Sequence, residues 1–185
     1  AALTRLERLH ITNGTMKKGF GVFMEGLHPT EDAPLPLPAL TALTVRETTL
    51  VGEDDFNGFT LLLSKLPSVT ELTLNVLRFM LSRANVIGGV IARMPALTDL
   101  NINGMMYSAK PQTHLMWLRD CVQLRTLQMR DLNLQVQEVV VMINILHTCR
   151  HLHSLDVTGN MQVNVIWAYQ ARELTKALAR LPALR

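Results

Sequence analysis

Apolar residues recur along the chain in one figure, apolar-x-x-apolar-x-x-Leu-x-apolar, which is found in six places. The sets are Leu3, Leu6, Leu9, Ile11; Leu37, Leu40, Leu43, Val45; Leu66, Val69, Leu72, Leu74; Met94, Leu97, Leu100, Ile102; Cys121, Leu124, Leu127, Met129; and Cys149, Leu152, Leu155, Val157. A seventh set opens at Leu181 and Leu184, and the steps between first positions are 34, 29, 28, 27, 28 and 32 residues. The closing Leu-x-apolar piece has period two, which predicts a short strand with one buried face. The stretches that follow carry apolar residues three and four apart, as in Phe59, Leu62, Leu63 and Leu66, or Val136, Val139, Val140, Ile143 and Leu146. That spacing predicts helices.

One strand and one helix cannot bury each other's apolar faces alone. Neighbouring units must therefore stack, with their strands aligned in a parallel sheet. Pro38, Pro67, Pro95 and Pro182 each follow the first apolar position of a unit, where a fixed φ and a missing N–H stop the preceding helix. Pro111 is placed to open a helix containing Leu115, Trp117 and Leu118. Thr12-Asn13-Gly14, Asn103-Gly104 and Thr158-Gly159-Asn160 suit a sharp turn out of the sheet. The long first step, with Gly19, Gly21, Gly26 and the proline-rich run from Pro29 to Pro38, predicts an irregular segment.

These motifs resemble the leucine-rich repeat, and the step length is similar to that of the ribonuclease-inhibitor or Ran GTPase-activating-protein subtype. The resemblance covers essentially the whole chain and is clearest in Leu155-Asp-Val-Thr-Gly-Asn160 and Glu173-Leu-Thr-Lys-Ala-Leu-Ala-Arg-Leu-Pro182. It implies an α/β solenoid, or horseshoe, with a concave parallel sheet and convex helices, in about six coils plus part of a seventh. Residues 1–185 then form a single domain, expected to be a segment of a longer repeat protein without its caps, with apolar edges exposed at Leu3 and Leu184. Arg46, Val76 and Leu132 stand near where the pattern expects a turn asparagine, so those coils are expected to turn differently.

In such a coil the residues flanking the buried strand positions face the concave side. They form three rows: Arg8, Ala42, Glu71, Asp99, Thr126, Ser154; His10, Thr44, Thr73, Asn101, Gln128, Asp156; and Thr12, Arg46, Asn75, Asn103, Arg130, Thr158. All but Ala42 are polar. A solvated sheet face is polar in any case, yet an extended concave surface on a rigid scaffold also suits a protein partner. The candidate partner-binding residues are Arg8, His10, Arg46, Glu71, Asn75, Asp99, Asn101, Asn103, Gln128, Arg130 and Asp156. Arg46 and Arg130 can grip carboxylates or phosphates, while Glu71, Asp99 and Asp156 discourage a plain polyanion. Mixed charge points to a protein before nucleic acid.

Composition narrows the picture only a little. The 185 residues are 48% apolar, 5% aromatic and 18% charged, with a formal charge of +3, a folding composition that excludes disorder and collagen-like fibres. No apolar run approaches the roughly 18 residues of a membrane span. The first residues show no signal-peptide regions, and two cysteines make no disulfide framework. The expectation is an intracellular, cytoplasmic protein without membrane contact.

Cys121 and Cys149 share one register in successive units, within disulfide reach, although two buried thiols in place of leucine is the favoured reading. His147, Cys149, His151 and His153 look like a metal cluster, but Cys149 takes a core position and the histidines scatter around it, so no metal is expected. Gly19-x-Gly21 lacks the rest of a dinucleotide fingerprint. Asn13-Gly14-Thr15 is a glycosylation sequon that matters only in a secreted chain. No nucleophile stands in a motif with a base, and His153 and Ser154 alternate to opposite faces. The sequence thus predicts a non-catalytic interaction module or scaffold, without cofactor, that works in a larger chain or complex. Its alternatives are a structural subunit of a large, even ribonucleoprotein, assembly, or the recognition arm of a GTPase activator or ubiquitin ligase.

Overall fold

The computed structural model describes residues 3–12, 15–16, 37–50, 52–75, 83–104, 115–160 and 168–184. Within them lie strands β1 (Arg8–Thr12), β2 (Thr15–Met16), β3 (Ala42–Arg46), β4 (Thr49–Leu50), β5 (Glu71–Asn75), β6 (Asp99–Asn101), β7 (Thr126–Gln128) and β8 (Ser154–Asp156). Helices α1 (Glu53–Ser64), α2 (Ala84–Ile91), α3 (Val136–Ile145) and α4 (Ala168–Leu178) alternate with them, and two 3₁₀ turns cover Met116–Asp120 and Leu146–Thr148. Six strands form one all-parallel sheet in the order β1-β3-β5-β6-β7-β8. The architecture is α/β, with each sheet strand beside the next one in sequence.

The sheet register follows the predicted pairs. Leu9, Leu43, Leu72, Leu100, Leu127 and Leu155 are aligned across it, and Ile11, Val45 and Leu74 form a second row. These residues join the inward faces of α1, α2 and α3 in one apolar cluster with Phe59, Leu62, Ile87, Ile91, Val139 and Ile143. Leu43, Val45, Leu74, Leu127 and Met129 are fully buried. In the outermost strands Leu9, Ile11, Leu155 and Val157 are only partly covered, and Leu3 is 53% exposed while Leu184 is half-buried.

Entry into each strand is by a turn closed from the second apolar position back to the first. Leu40 donates to Leu37, Val69 to Leu66, Leu97 to Met94 and Leu184 to Leu181, at 3.2 to 3.4 Å. Pro38, Pro67, Pro95 and Pro182 are thus the second residue of a β-turn, where a fixed φ near −65° is already correct. The same bond forms without proline from Leu6 to Leu3, Leu124 to Cys121 and Leu152 to Cys149.

Exit from the sheet uses a left-handed residue at one register. Glu47, Gly104, Asp131 and Gly159 stand four residues after the strand leucine and have φ of 50°, 63°, 54° and 71°. The three residues read as departures near the turn prove to hold different positions. Arg46 ends a strand, Leu132 is buried in the core, and Val76 lies outside the described residues. Asn160 supplies the polar bracket expected of a turn asparagine: its Oδ1 accepts from Leu132 and Leu134 N–H, and its Nδ2 donates to the Met129 and Val157 carbonyls.

Other expectations change. Leu115, Trp117 and Leu118 are buried around a 3₁₀ turn, not an α-helix, and Pro111 lies outside the described residues. Trp117 packs against α2 at Gly88, where a Cβ would collide with its indole ring. Of the long first step, Thr15–Met16 pairs with Thr49–Leu50 as a second, two-stranded sheet that hydrophobic periodicity did not reveal. The glycines and prolines from 19 to 36 and the Asn13 sequon lie outside the described residues. Among the described residues no helix is long and apolar enough to cross a membrane.

Two adjacent glycines test this packing. Gly88→Ala must push against the Trp117 ring and is expected to cost about 1–3 kcal/mol. Gly89 has open space where a Cβ would go, so Gly89→Ala should stabilise by about 0.4–1 kcal/mol through helix propensity and a stiffer unfolded chain. Urea denaturation of both variants should show opposite shifts in midpoint.

Candidate functional site

The polar sheet face carries the first two predicted rows and the first half of the third, while Asn103, Arg130 and Thr158 follow the ends of their strands. Pairing aligns Arg8, Ala42, Glu71, Asp99, Thr126 and Ser154; then His10, Thr44, Thr73, Asn101, Gln128 and Asp156; then Thr12, Arg46 and Asn75. A shallow cavity of about 250 Å³ sits at the centre of the face, lined by Glu71, Thr73, Asp99, Asn101, Thr126 and Gln128 among others. Four of these six were expected. Thr73 and Thr126 belong to the same rows but carry no charge or amide that would single them out in the sequence.

Many of the candidate residues are already engaged with one another. Arg8 Nη2 bonds Glu71 Oε2 at 2.7 Å, reaching from β1 to β5 over the intervening β3. The clasp spans two strand spacings, roughly 9–10 Å, and passes above Ala42. That accounts for the one apolar residue in the rows: Ala42 is 3% exposed, and Thr44 beside it 9%. These two positions, read as solvent-facing from period two, are therefore covered. Both side chains of the clasp are about half exposed, so its contribution to stability is small, about 0–1 kcal/mol.

Further along, Asn101 Nδ2 donates to Gln128 Oε1 at 2.9 Å, and Asn101 Oδ1 accepts from Asn103 N–H. Asn103 Oδ1 accepts from Arg130 N–H. Arg130 Nε donates to Asp156 Oδ2 at 2.6 Å, with Arg130 Nη2 on the same carboxylate, while Asp156 Oδ1 accepts from the Thr158 N–H and hydroxyl. Arg130, and with it Thr158, holds the Asp156 carboxyl well below the usual range, at about 2. Asp99 accepts from the hydroxyl of its neighbour Thr98. His10, Arg46 and Asn75 make no side-chain bond among the described residues, and His10 and Arg46 are exposed.

The tempting sites resolve by register. Cys149 is 1% and Cys121 6% exposed, and both are free thiols. Cys149 Sγ lies 3.3 Å from the Cys121 carbonyl, and Cys121 Sγ lies 3.8 Å from the Trp117 carbonyl. Burial first, then the neighbouring Cys149 and Asp120, push the Cys121 thiol up to about 12. Burial also raises Cys149. His147, His151 and His153 are all exposed, and among the described residues no group of three histidine, cysteine or acidic side chains is arranged to hold a metal ion. His151 and His153 instead border a second cavity, with Arg125 and Arg150. The sequence reading passed over those two arginines, although Arg125 and His153 share the register immediately before the first polar row.

No protein-family model matches the chain, and no curated protein matches it significantly.

Two measurements follow from these groups. The folded Asp156 pKa lies below the unfolded value of about 3.9, so its charge contributes stability that is complete above about pH 4 and is lost as pH falls toward 2. Asp156→Asn should therefore be less stable than the parent by up to about 1 kcal/mol near pH 6, with the difference closing in acid; a gap that stays constant from pH 6 to 2.5 in urea titrations counts against the pairing. In native protein at pH 8, neither cysteine should react with a disulfide reagent over minutes, whereas both should titrate after unfolding without reductant.

Proposed function

We propose that the chain is a curved leucine-rich-repeat array and a non-catalytic interaction module, one that binds another protein across the polar face of its sheet. The observation that carries this reading is the in-register polar face itself, with the cavity between Glu71, Asp99, Asn101 and Gln128 at its centre. Hydrogen bonds between neighbouring units fix Asn101, Gln128, Asn103, Arg130 and Asp156 before any partner arrives, and such pre-ordering lowers the entropy cost of association. The uncommitted groups give the partner its chemistry. Asp99, with no cation bound to it among the described residues, would receive a lysine or arginine of the partner, and Arg46 a carboxylate. The repeat pattern, with its 27 to 29-residue inner steps, supports the repeat-array reading, and no nucleophile paired with a base enters it.

The test is capture from an extract of the source cells on the immobilised chain, with Asp99→Lys, the Arg46→Glu, Arg130→Glu double variant, and Asn57→Lys on the exposed side of α1 as a control. The proteins held by the parent and by Asn57→Lys should be lost from the two sheet-face variants, since a reversed rim or central charge typically costs about 2 kcal/mol or more of binding. Retention of the same proteins by all four baits would rule out the sheet face.

A further inference from the structure

The edge where the chain enters the sheet is built from repeated, uncharged positions in the second, third and fourth units. The residue before each strand is Thr41, Thr70 or Thr98, and its hydroxyl turns back onto the carbonyl of the preceding unit, at Glu7, Thr41 and Thr70 respectively. The turn before it reads Pro38-Ala39, Pro67-Ser68 and Pro95-Ala96. In the next two units both devices are replaced. The threonine register becomes Arg125 and then His153, and the second of these turns becomes Arg150-His151. The backbone is unchanged, since the Arg125 carbonyl still accepts from His153 and Ser154 N–H as Thr98 does from Arg125 and Thr126. The change is thus one of side chains alone.

Those side chains converge. Arg125, Arg150, His151 and His153 line an open cavity of about 690 Å³ closed on one side by Pro182 and Ala183. A second cavity of about 420 Å³ shares Arg150 and Pro182 with it and adds His147 and Arg180. Among the described residues no acidic side chain borders either cavity. Arg125, Arg150, His151 and His153 have no side-chain hydrogen bond or ion pair among the described residues. Arg180 donates to the Asn144 amide oxygen at 2.8 Å and feels Glu173 only at longer range, since that carboxylate is bonded to Lys176 at 2.6 Å.

Arg125 and Arg150, with no carboxylate paired to them among the described residues, repel one another and the nearby Arg180, and a bound anion relieves that repulsion. Planar guanidinium forks match phosphate oxygens in pairs, and imidazole N–H groups add further donors. Among the described residues neither cavity presents an aromatic ring on which a nucleobase could stack. We propose that this edge binds a compact polyphosphorylated small molecule, whose several phosphate groups lie across both cavities between Arg125, Arg150 and Arg180. The site is separate from the sheet face proposed for a protein partner and stands without that reading.

Isothermal titration of the chain with sodium tripolyphosphate, inorganic phosphate and a twelve-nucleotide single-stranded RNA, at constant ionic strength, tests the proposal. Tripolyphosphate should bind at one site and more tightly than phosphate. The Arg125→Gln, Arg150→Gln double variant should weaken it by about tenfold or more, the loss expected for two charge-assisted contacts, while Arg93→Ala, at an exposed arginine remote from both cavities, should leave it within about twofold. Both glutamine replacements are at exposed positions, and unchanged circular dichroism and urea midpoints establish that the variant is folded. The proposal is overturned if tripolyphosphate does not bind, if it binds equally well to the double variant, or if the RNA binds more tightly than tripolyphosphate.

Discussion

Lateral burial between neighbouring strands is the constraint on which everything else in this molecule depends. Leu43, Leu72, Leu100 and Leu127 are 0 to 1% exposed, whereas Leu9 and Leu155 have the same residue type, conformation and register and remain partly open. Among the described residues the outer pair has a sheet neighbour on one side only. Each leucine is therefore completed by its neighbours and not by its own unit, and full burial is worth about 1.5–3 kcal/mol per side chain. The repeat spacing has to hold along the chain because a unit out of step would uncover two others. Period two adds a second demand, since a slip of one residue would turn every polar row inward.

That double demand explains why so much of the fold was legible. The strand leucines, the proline turns, the alignment of the first two polar rows and that of the third at Thr12, Arg46 and Asn75 follow from positions in the sequence, because the same solution recurs. What was not legible depends on single residues. The 3₁₀ turn at Met116–Asp120 occupies the place of a helix, with Trp117 set against the bare backbone of Gly88; one glycine in an apolar helix announces no such seat. The left-handed register was legible at Gly104 and Gly159 and hidden at Glu47 and Asp131. Asp131 adopts it with its own carboxylate filling the space beside Gly159, so the two turns are matched as a pair across units.

The candidate face shows the same division. Period two identified which residues share it, but not which of them are spoken for. Arg8 and Glu71 sit 63 positions apart in the chain and meet only because β3 lies between their strands with a residue as small as Ala42 at the crossing. Thr44, in the next row of the same central strand, is buried as well. Sequence alone puts Arg8, Arg46 and Arg130 on the face and weighs the last two alike as grips for a carboxylate or phosphate. In the structure two of them already hold carboxylates, and only Arg46 has no such bond among the described residues.

Acidic and basic chemistry are separated in this molecule by a single step along a strand. Thr126 borders the cavity that contains Glu71 and Asp99, and Arg125, the residue before it, borders the cavity that gathers Arg150 and His153. A formal charge of +3 conceals that arrangement, because the sum over the chain carries no information about register. The buried leucines hold the register to within less than one residue, and through it they keep the two cavities distinct. A substitution that loosened Leu124 or Leu127, both fully buried on either side of this step, would act on the charged surfaces without touching a charge. The apolar rows are in this sense part of both sites.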